Sequence, residues 1–453
     1  MLPTRAWELG IGAALAIAGA ARGRPIDVTG GAGTALSILS LGTLALAITL
    51  YTPAIAFPGW FVVLPILATT ALIATPRSWA NRHLLGHPAM QFVGKISYSW
   101  YLWHWPIFYL NRILEGPQGG LHGVTLIAVT FAFAILSWRF VETPLRHRVL
   151  PQRTVLWRYA FASLAVAAPA WLLYQSGGWI RRLPEPARAM AMDARAAQEG
   201  QCLARYGSAD IRNPAACLPL PGDAPVIAIL GDSHADALAP GIIEEAKADG
   251  RKAAVLTKSS CAPLLGFAFR IDGRPEHQQQ CIAYQQRAFA TVARRADIRT
   301  VVLAGYWRQL QDVPLFARDN VQQSSLEPAL VESIDYLTAR GKKVILVQDV
   351  PSFASDPYAL TIGSHLPLRI ALARAMQGKD GASGSAPPER DATRPLIARI
   401  AQGRSGVSLW DPHAQLCEEM NCTFAADGAL FYSDGQHLTF NGARRATRGL
   451  VLN

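Results

Sequence analysis

The stretch that decides the fold of the C-terminal half is Val226-Ile227-Ala228-Ile229-Leu230-Gly231-Asp232-Ser233-His234. Its apolar run predicts a buried strand, and the residues that follow predict a tight glycine turn and a helix over 235–248. Open α/β sheets bind ligands at the carboxyl ends of their strands, which is where this turn places Ser233. The amino end of the helix favours a developing oxyanion at the same place. The stretch therefore predicts an α/β domain with a reactive serine.

Partners for this serine stand near the end of the chain, in Asp434-Gly435-Gln436-His437-Leu438. A serine nucleophile needs a base, and the base needs an orienting carboxylate. We expect His437 and Asp434 to fill these two roles. A structural interpretation stays open, in which Ser233 is a helix N-cap and the other two are surface residues. Of the remaining histidines in this half, only His234 is expected beside the site, and the others are expected to be structural or exposed: His277, His365 and His413.

Composition divides the 453 residues into a largely apolar first part and a second part with ordinary charge. The first part contains six apolar segments, most of which approach the roughly 20 residues that span a bilayer. They are 7–21, 34–51, 54–74, 96–114, 121–140 and 156–174. We therefore expect a polytopic α-helical membrane domain of about six spans over 1–175, a connector over 176–200 and a soluble domain over 201–453.

The soluble part alternates strand and helix patterns after Val226. Further strands are predicted at 253–257, 300–304, 343–347 and 407–410, with helices at 281–296 and 329–340 between them and a last helix over 440–450. This alternation predicts a doubly wound parallel sheet. Residues 376–394 are rich in Gly, Ser and Pro and are predicted to form a surface insertion.

The charges between the apolar segments predict a topology. Arginine and lysine occur in 22–33, 75–95 and 141–155, whereas 52–53 and 115–120 contain none. Because cationic loops stay in the cytoplasm, the N-terminus and the soluble domain are expected outside. Much of the net charge of +11 lies in these loops, and the soluble part has no basic stripe with stacking aromatics. Nucleic acid is therefore not an expected partner.

All six cysteines lie in the soluble part, and their even number predicts disulfides in an oxidising compartment. We expect three local pairs, although the spacing alone allows other connectivities and reduced structural cysteines remain an alternative. The expected pairs are Cys202–Cys217, Cys261–Cys281 and Cys417–Cys422. Their spacing does not resemble a zinc site.

Two polar residues in or beside the apolar segments have two interpretations each. His104 stands in an aromatic run over 94–106 that is typical of an interfacial belt. A histidine within a span marks either a functional path or a hydrogen bond inside the bundle. Glu142 stands at a predicted cytoplasmic boundary. It is either a solvated end residue or part of the function.

Several of these motifs resemble two known families. The Gly231–His234 and Asp434–Leu438 segments resemble the first and last blocks of the SGNH hydrolase superfamily. The apolar half resembles the acyltransferase-3 family, in three segments of the sequence: Arg5–Leu9, Ile96–Pro106 and Val141–Pro144. The combination resembles the fused acyltransferase-3–SGNH proteins of bacterial envelopes, such as O-antigen and peptidoglycan O-acetyltransferases, and Cys261-Ala262-Pro263 is similar to a recurring feature of their SGNH domains.

The resemblance implies an O-acyltransferase in the inner membrane with its C-terminal domain in the periplasm. The membrane part would pass an acetyl group from cytoplasmic acetyl-CoA, and Ser233 would take it as an ester with His437 as base and Asp434 orienting that base. A sugar hydroxyl of an envelope polysaccharide would accept it, with no bound cofactor or metal. Weaker assignments to acyl or oxyanion handling are Asp232, His234, Gly305, His104 and Glu142.

The chain departs from the family pattern in two respects. Complete members carry more spans ahead of this segment, so we expect a C-terminal part whose missing spans a separate chain could supply. The third SGNH block usually provides an oxyanion-binding Asn, but the matching segment here is Leu303-Ala304-Gly305-Tyr306-Trp307. The Ser233 N–H and another backbone donor are then expected to bind the oxyanion. Three alternatives stay open: a membrane-tethered carbohydrate esterase, a non-catalytic glycan-docking partner and the remnant of a split acyltransferase.

Overall fold

The computed structural model describes residues 6–51, 59–113, 120–146, 152–198, 200–222, 224–317, 323–367, 369–371 and 384–452. The chain forms two compact units. The first comprises Met1–Tyr109 and Gln118–Leu150, and the second comprises Leu110–Pro117 and Pro151–Asn453. The last apolar helix therefore groups with the C-terminal unit rather than with the other apolar helices.

The described residues of the apolar part form six longer helices. They are α1 (Ala6–Ala21), α2 (Gly30–Leu50), α3 (Val63–Ile73), α4 (Pro88–Ile113), α5 (Gly120–Ser137) and α6 (Gln152–Gln175). Two π-helical turns, Asn81–Leu85 and Trp138–Glu142, precede α4 and follow α5, and a short helix covers Thr143–Arg146. A 3₁₀ turn, Trp60–Val62, leads into α3.

Three helical stretches in the described part of the chain are long and apolar enough to cross a membrane: Gly30–Leu50, His122–Leu145 and Arg153–Gln175. The apolar stretches Gly10–Ala21 and Trp60–Ile73 are shorter. Helices with the length and composition of membrane spans are thus present in the described residues, while the count of six spans stays a prediction. Arg5 and the segments 52–53, 115–119 and 147–151, on which part of the topology and motif argument depends, lie outside the described residues.

The C-terminal unit is built on a six-stranded sheet. Its strands are β1 (Leu203–Ala204), β2 (Val226–Gly231), β3 (Lys252–Lys258), β4 (Ile298–Ala304), β5 (Lys343–Val347) and β6 (Val407–Trp410). Their order is β1-β3-β2-β4-β5-β6, and every neighbouring pair is parallel. The predicted parallel sheet is confirmed. The two-residue strand β1 was not predicted, because it is too short to show a pattern.

Helices cover both faces of this sheet. They are α8 (Ser233–Ala248), α9 (His277–Arg294), α10 (Leu326–Thr338), α11 (Arg394–Ala401) and α12 (Phe440–Thr447). Alternate β2 residues serve the two faces, since side chains alternate along a strand. Ile227 and Ile229 pack in a cluster with α8 and α12, whereas Ala228 and Leu230 pack in a cluster with α9 and α10. A further helix of the unit, α7 (Glu185–Gln198), lies outside these two clusters. The domain is therefore a three-layer α/β/α structure.

Shorter elements complete the domain. One-turn or two-turn helices cover Pro214–Cys217, Pro357–Gly363 and His413–Leu416. Three small antiparallel sheets join Leu315–Phe316 to Gln323–Ser324, Ala425–Ala426 to Ala429–Leu430, and Asn421–Thr423 to both Cys417–Glu418 and Ser385–Ala386. Part of the predicted surface insertion, 372–383, lies outside the described residues, while Ser385–Ala386 is a paired strand.

The structure also bears on the predicted connector and on the predicted disulfides. Residues 176–200, predicted to be a connector, contain α7, whose buried face packs against Ile362 and Leu430 of the domain. Alanines make up most of that face, so its helical period was easily missed. The three predicted disulfides are confirmed as Cys202–Cys217, Cys261–Cys281 and Cys417–Cys422, and no cysteine is free.

Candidate active site

The turn between β2 and α8 depends on close backbone packing at Gly231. A Cβ at this position would lie 1.9 Å from the Ala304 carbonyl oxygen and 2.4 Å from the Ala235 Cβ. No side chain fits in that space, so a glycine is required where β2 meets β4 and α8. The requirement fixes where the next residues, Asp232 and Ser233, emerge from the sheet.

Asp232 is the N-cap of α8. One of its carboxylate oxygens accepts the backbone N–H of His234 at 2.9 Å, and the other accepts the backbone N–H of Tyr306 at 2.8 Å. The interpretation of Ser233 as the N-cap is therefore wrong. Ser233 is the first residue of the helix, and its hydroxyl is free to face another partner.

That partner is His437. Its Nε2 lies 2.9 Å from the Ser233 Oγ, and its Nδ1 lies 2.7 Å from the Asp434 Oδ2. The other oxygen of Asp434 accepts the backbone N–H groups of Gln436 and His437 at 2.8 and 2.7 Å. The structure thus joins Ser233, His437 and Asp434 in the order that nucleophilic catalysis requires.

The electrostatics of Asp434 suit an orienting role. Burial raises the pKa of its carboxyl group, but the hydrogen bond and charge of His437 and the two backbone N–H groups outweigh burial and lower that pKa overall. An ionised carboxylate accepts the proton on Nδ1 of His437. This tautomer leaves the lone pair of Nε2 directed at the Ser233 hydroxyl.

A second histidine–carboxylate pair lies directly behind these residues. The Nδ1 of His234 is 2.7 Å from the Oδ1 of Asp349, and both side chains are almost fully buried. Burial lowers the pKa of His234. The charge and hydrogen bond of Asp349, together with the charges of Asp232 and Asp434, raise that pKa by more than burial lowers it, so the net shift is upward. Asp349 was not predicted, although it follows β5 at the same sheet edge as Ser233, which is a signal that the sequence does contain.

Three residues with weaker assignments, Asp232, His234 and Gly305, lie near Ser233. Asp232 and His234 are each only 2% exposed, and burial raises the pKa of the Asp232 carboxyl group. Gly305 packs against Asp232 and Pro263, where a Cβ would meet both at 3.3 Å. Because Asp232 already accepts the Tyr306 N–H, the backbone donor that follows Gly305 is occupied.

The other two expected site residues belong to the first unit. The carboxylate of Glu142 accepts a hydrogen bond from the Ser99 hydroxyl at 3.1 Å. His104 is exposed on α4, with its Nδ1 near the Tyr101 carbonyl oxygen. Among the described residues, no group of three or more His, Cys, Asp or Glu side chains could hold a metal ion.

Fold and site together define an α/β protein with a Ser–His–Asp arrangement at the carboxyl edge of its sheet. Comparison with known families gives a more specific assignment. The model of the SGNH domain found fused to AT3 domains matches residues 201–450, which is more than half of the chain. The chain therefore belongs to this SGNH family.

Individual relatives match shorter stretches. The peptidoglycan O-acetyltransferase OatA of Listeria monocytogenes is 35% identical over 88 residues, which cover 19% of this chain and 14% of the relative. A Staphylococcus aureus protein whose name contains O-acetyltransferase is 31% identical over 109 residues, covering 23% of this chain and 18% of the relative. The chain thus matches less than a fifth of the length of these relatives.

Two solved structures are also similar. The periplasmic domain of a Salmonella Paratyphi A lipopolysaccharide acetyltransferase is 15% identical, with a TM-score of 0.40, and the match covers 58% of this chain and 94% of that one. A GDSL-like lipase from Bacteroides thetaiotaomicron is 14% identical, with a TM-score of 0.27, over 57% and 95% of the two chains.

Proposed function

We propose that this protein is an O-acyltransferase that moves an acetyl group onto hydroxyl groups of a cell-envelope glycan. The observation that carries the proposal is the geometry of Ser233, His437 and Asp434, with hydrogen-bond distances of 2.9 and 2.7 Å. The names of the relatives support the choice of acetyl group and of glycan.

The first half-reaction loads Ser233. Its Oγ attacks the acyl carbonyl carbon while Nε2 of His437 takes the hydroxyl proton. The tetrahedral oxyanion lies at the amino end of α8, where the Ser233 N–H and the helix dipole stabilise it. The bond from carbonyl carbon to leaving group then breaks, His437 returns the proton to that group, and an acetyl ester remains on Ser233.

The second half-reaction repeats these steps with the acceptor. A sugar hydroxyl gives its proton to His437 as its oxygen attacks the ester, and the Ser233 Oγ leaves with that proton. Throughout, Asp434 keeps the imidazole in the required tautomer and stabilises its cationic form. The net change is one ester bond broken and one formed, with no oxidation or reduction.

The membrane helices are assigned the supply of the acetyl group to Ser233. Acetyl-CoA in the cytoplasm is the acyl source, and the apolar helices take part in carrying the acetyl group across the inner membrane. Three helices with the length and composition of spans support this arrangement. The three disulfides support a C-terminal domain in the periplasm, because such bonds persist in an oxidising compartment.

Hydrolysis by the same residues is the second candidate function. The side chains of His437 and Asp434 are 25% and 38% exposed, so solvent reaches the site in this conformation. Water in place of the sugar hydroxyl would make the protein a membrane-tethered carbohydrate esterase. Transfer exceeds hydrolysis only where the acceptor is held in place and water is excluded.

The test uses the 453-residue chain in detergent with an aryl acetate as donor and soluble envelope oligosaccharides as acceptors. We expect Ser233→Ala to abolish release of the aryl alcohol and the acetylated peptide that mass spectrometry detects in the wild type. Ser408→Ala, an exposed serine on β6, is the matched control and should retain both signals. Acceptor-dependent formation of acetylated sugar supports transfer, and release of acetate alone supports hydrolysis. Equal activity of Ser233→Ala and wild type would refute both functions.

A further inference from the structure

Directly behind the catalytic residues, the His234–Asp349 pair sits in a site almost without solvent. The two side chains are 1% and 2% exposed, and the hydrogen bond between them is 2.7 Å long. Asp349 Oδ1 also accepts the backbone N–H of Val350 at 2.9 Å. Its Oδ2 and the Nε2 of His234 are buried with no hydrogen-bond partner among the described residues. A lone buried charge at this position would be expensive, so each member requires the other.

The pair touches the catalytic histidine. The ring of His234 lies edge-on to the ring of His437, with centroids 5.0 Å apart. On its other side His234 stacks on Tyr306 at 4.3 Å, with the rings 11° from parallel. His234 therefore contacts both Tyr306 and the ring of His437.

We propose that His234 and Asp349 form a positioning pair for His437. The two side chains share one proton, which keeps the pair neutral. The charge of the pair sets the pH range in which His437 can accept the proton of Ser233. The inference rests on the proposed function, because it assigns His437 the role of base. His234 is a positioning residue and not a catalytic one, since it is buried away from the acyl group.

The effect of the pair on His437 is electrostatic. Four titratable groups besides His437 face His234: Asp349 after β5, Asp232 before α8, Asp434 before α12 and Tyr306 after β4. A neutral pair leaves His437 with the favourable charge of Asp434, which it needs for orientation. If the proton of the pair is lost, the pair becomes a buried anion whose imidazole ring lies 5.0 Å from the ring of His437, and this anion favours the protonated form of His437. Protonated His437 cannot act as a base.

The experiment removes the histidine and the carboxylate separately and together. The full chain in detergent is labelled with ¹⁵N on histidine only, and the His437 ring is titrated by NMR beside the pH profile of kcat/KM for an aryl acetate. In His234→Gln the glutamine amide and the Val350 N–H can donate to Asp349 and keep it ionised, but no positive charge balances it. The His437 titration and the acid limb should therefore move upward by about one pH unit. Activity on the acid side then falls by about tenfold. The double variant with Asp349→Asn restores a neutral pair and should return both to the wild-type position.

Two controls keep the outcome interpretable. His277→Gln removes an equally buried histidine that binds the Ser260 carbonyl oxygen, and it should leave the His437 titration in place. If His234→Gln does not fold, the His437 titration in Asp349→Asn and the titration of His234 in the wild type still decide whether the pair sets the titration of His437. An unchanged His437 titration in His234→Gln, with only a uniform loss of kcat, would show a packing role and overturn the proposal. Because NMR needs no turnover, this result stands apart from any failure of the proposed function.

Discussion

The carboxylate of Asp232 accepts the backbone N–H of Tyr306 at 2.8 Å, which ties the turn carrying Ser233 to the loop that follows β4. The same carboxylate caps α8 through the N–H of His234. Two neighbouring strand ends are thus held by one buried side chain. The arrangement also removes the Tyr306 N–H from the set of groups that could bind an oxyanion.

Asp232→Asn tests this double contact. An asparagine side chain offers one acceptor oxygen, and its amide group would face one of the two N–H donors, so a buried donor loses its partner. We expect a loss of about 1–3 kcal/mol in the free energy of unfolding, together with lower esterase activity. Urea unfolding followed by tryptophan fluorescence measures the first. Asp249→Asn, at the exposed far end of the same helix, should unfold like the wild type. A stable and fully active Asp232→Asn would contradict the role given to this residue.

Gly231→Ala tests the close approach beneath the turn. The added methyl group would lie 1.9 Å from the Ala304 carbonyl oxygen, which is backbone and cannot move aside. We expect a loss of about 3 kcal/mol in unfolding free energy, the upper end of what overpacking of a core typically costs, because the nearest atom belongs to the backbone. Gly222→Ala is the matched control, because nothing lies within 4 Å of its Cβ position. Resistance to proteolysis at increasing urea concentration reports both, and a Gly231→Ala protein as resistant as Gly222→Ala would count against the packing argument.

The parts of this structure that follow local rules could be predicted from the sequence. The five longer strands, the turn at Gly231 and the proximity of Ser233 to His437 each follow from a short pattern and from where parallel strands end. Asp349 could not be assigned so easily, because its partner His234 lies at the start of α8, after a different strand, and only the sheet order brings the two together. The N-cap stays open in the sequence for a related reason: Asp232 and Ser233 are both good caps, and the second contact of Asp232, with the Tyr306 N–H, is distant in sequence.

Asp434→Asn tests the orientation of the catalytic base. The amide group would present a donor to His437 Nδ1, which favours the wrong tautomer and turns the Nε2 proton toward Ser233. By analogy with other Ser–His–Asp sites, kcat should fall by about 10⁴-fold while the fold is retained. Steady-state assays with the aryl acetate measure the loss in kcat, and circular dichroism checks the fold. Asp272→Asn, an exposed aspartate in the same domain, should keep wild-type kcat. A decrease of only a few fold would mean that Asp434 does not orient His437.

The His234–Asp349 pair should make the stability of the domain depend on pH. Because the folded-state pKa of His234 lies above the ordinary value of 6.5, the folded chain binds the proton more tightly than the unfolded chain. The resulting stabilisation is complete below pH 6.5 and is lost as the pH rises through the folded-state pKa. The Tm of the wild type should therefore fall across that range relative to the double variant His234→Gln with Asp349→Asn, which lacks this titration. Parallel Tm curves for the two proteins would show that the pair does not take up the proton on folding.

The proposed orientation can be tested with single introduced cysteines, because all six native cysteines are in disulfides and a new one is the only free thiol. Val451→Cys lies in the C-terminal domain and is 64% exposed, whereas Trp79→Cys lies in the arginine-bearing loop of the first unit and is 57% exposed. Positive loops stay in the cytoplasm, so Trp79→Cys should react with a membrane-impermeant maleimide only after the cells are permeabilised. Val451→Cys should react in intact spheroplasts, in agreement with the oxidising compartment that the disulfides require. The opposite labelling pattern would place the Ser–His–Asp site in the cytoplasm, where it could not reach an envelope glycan.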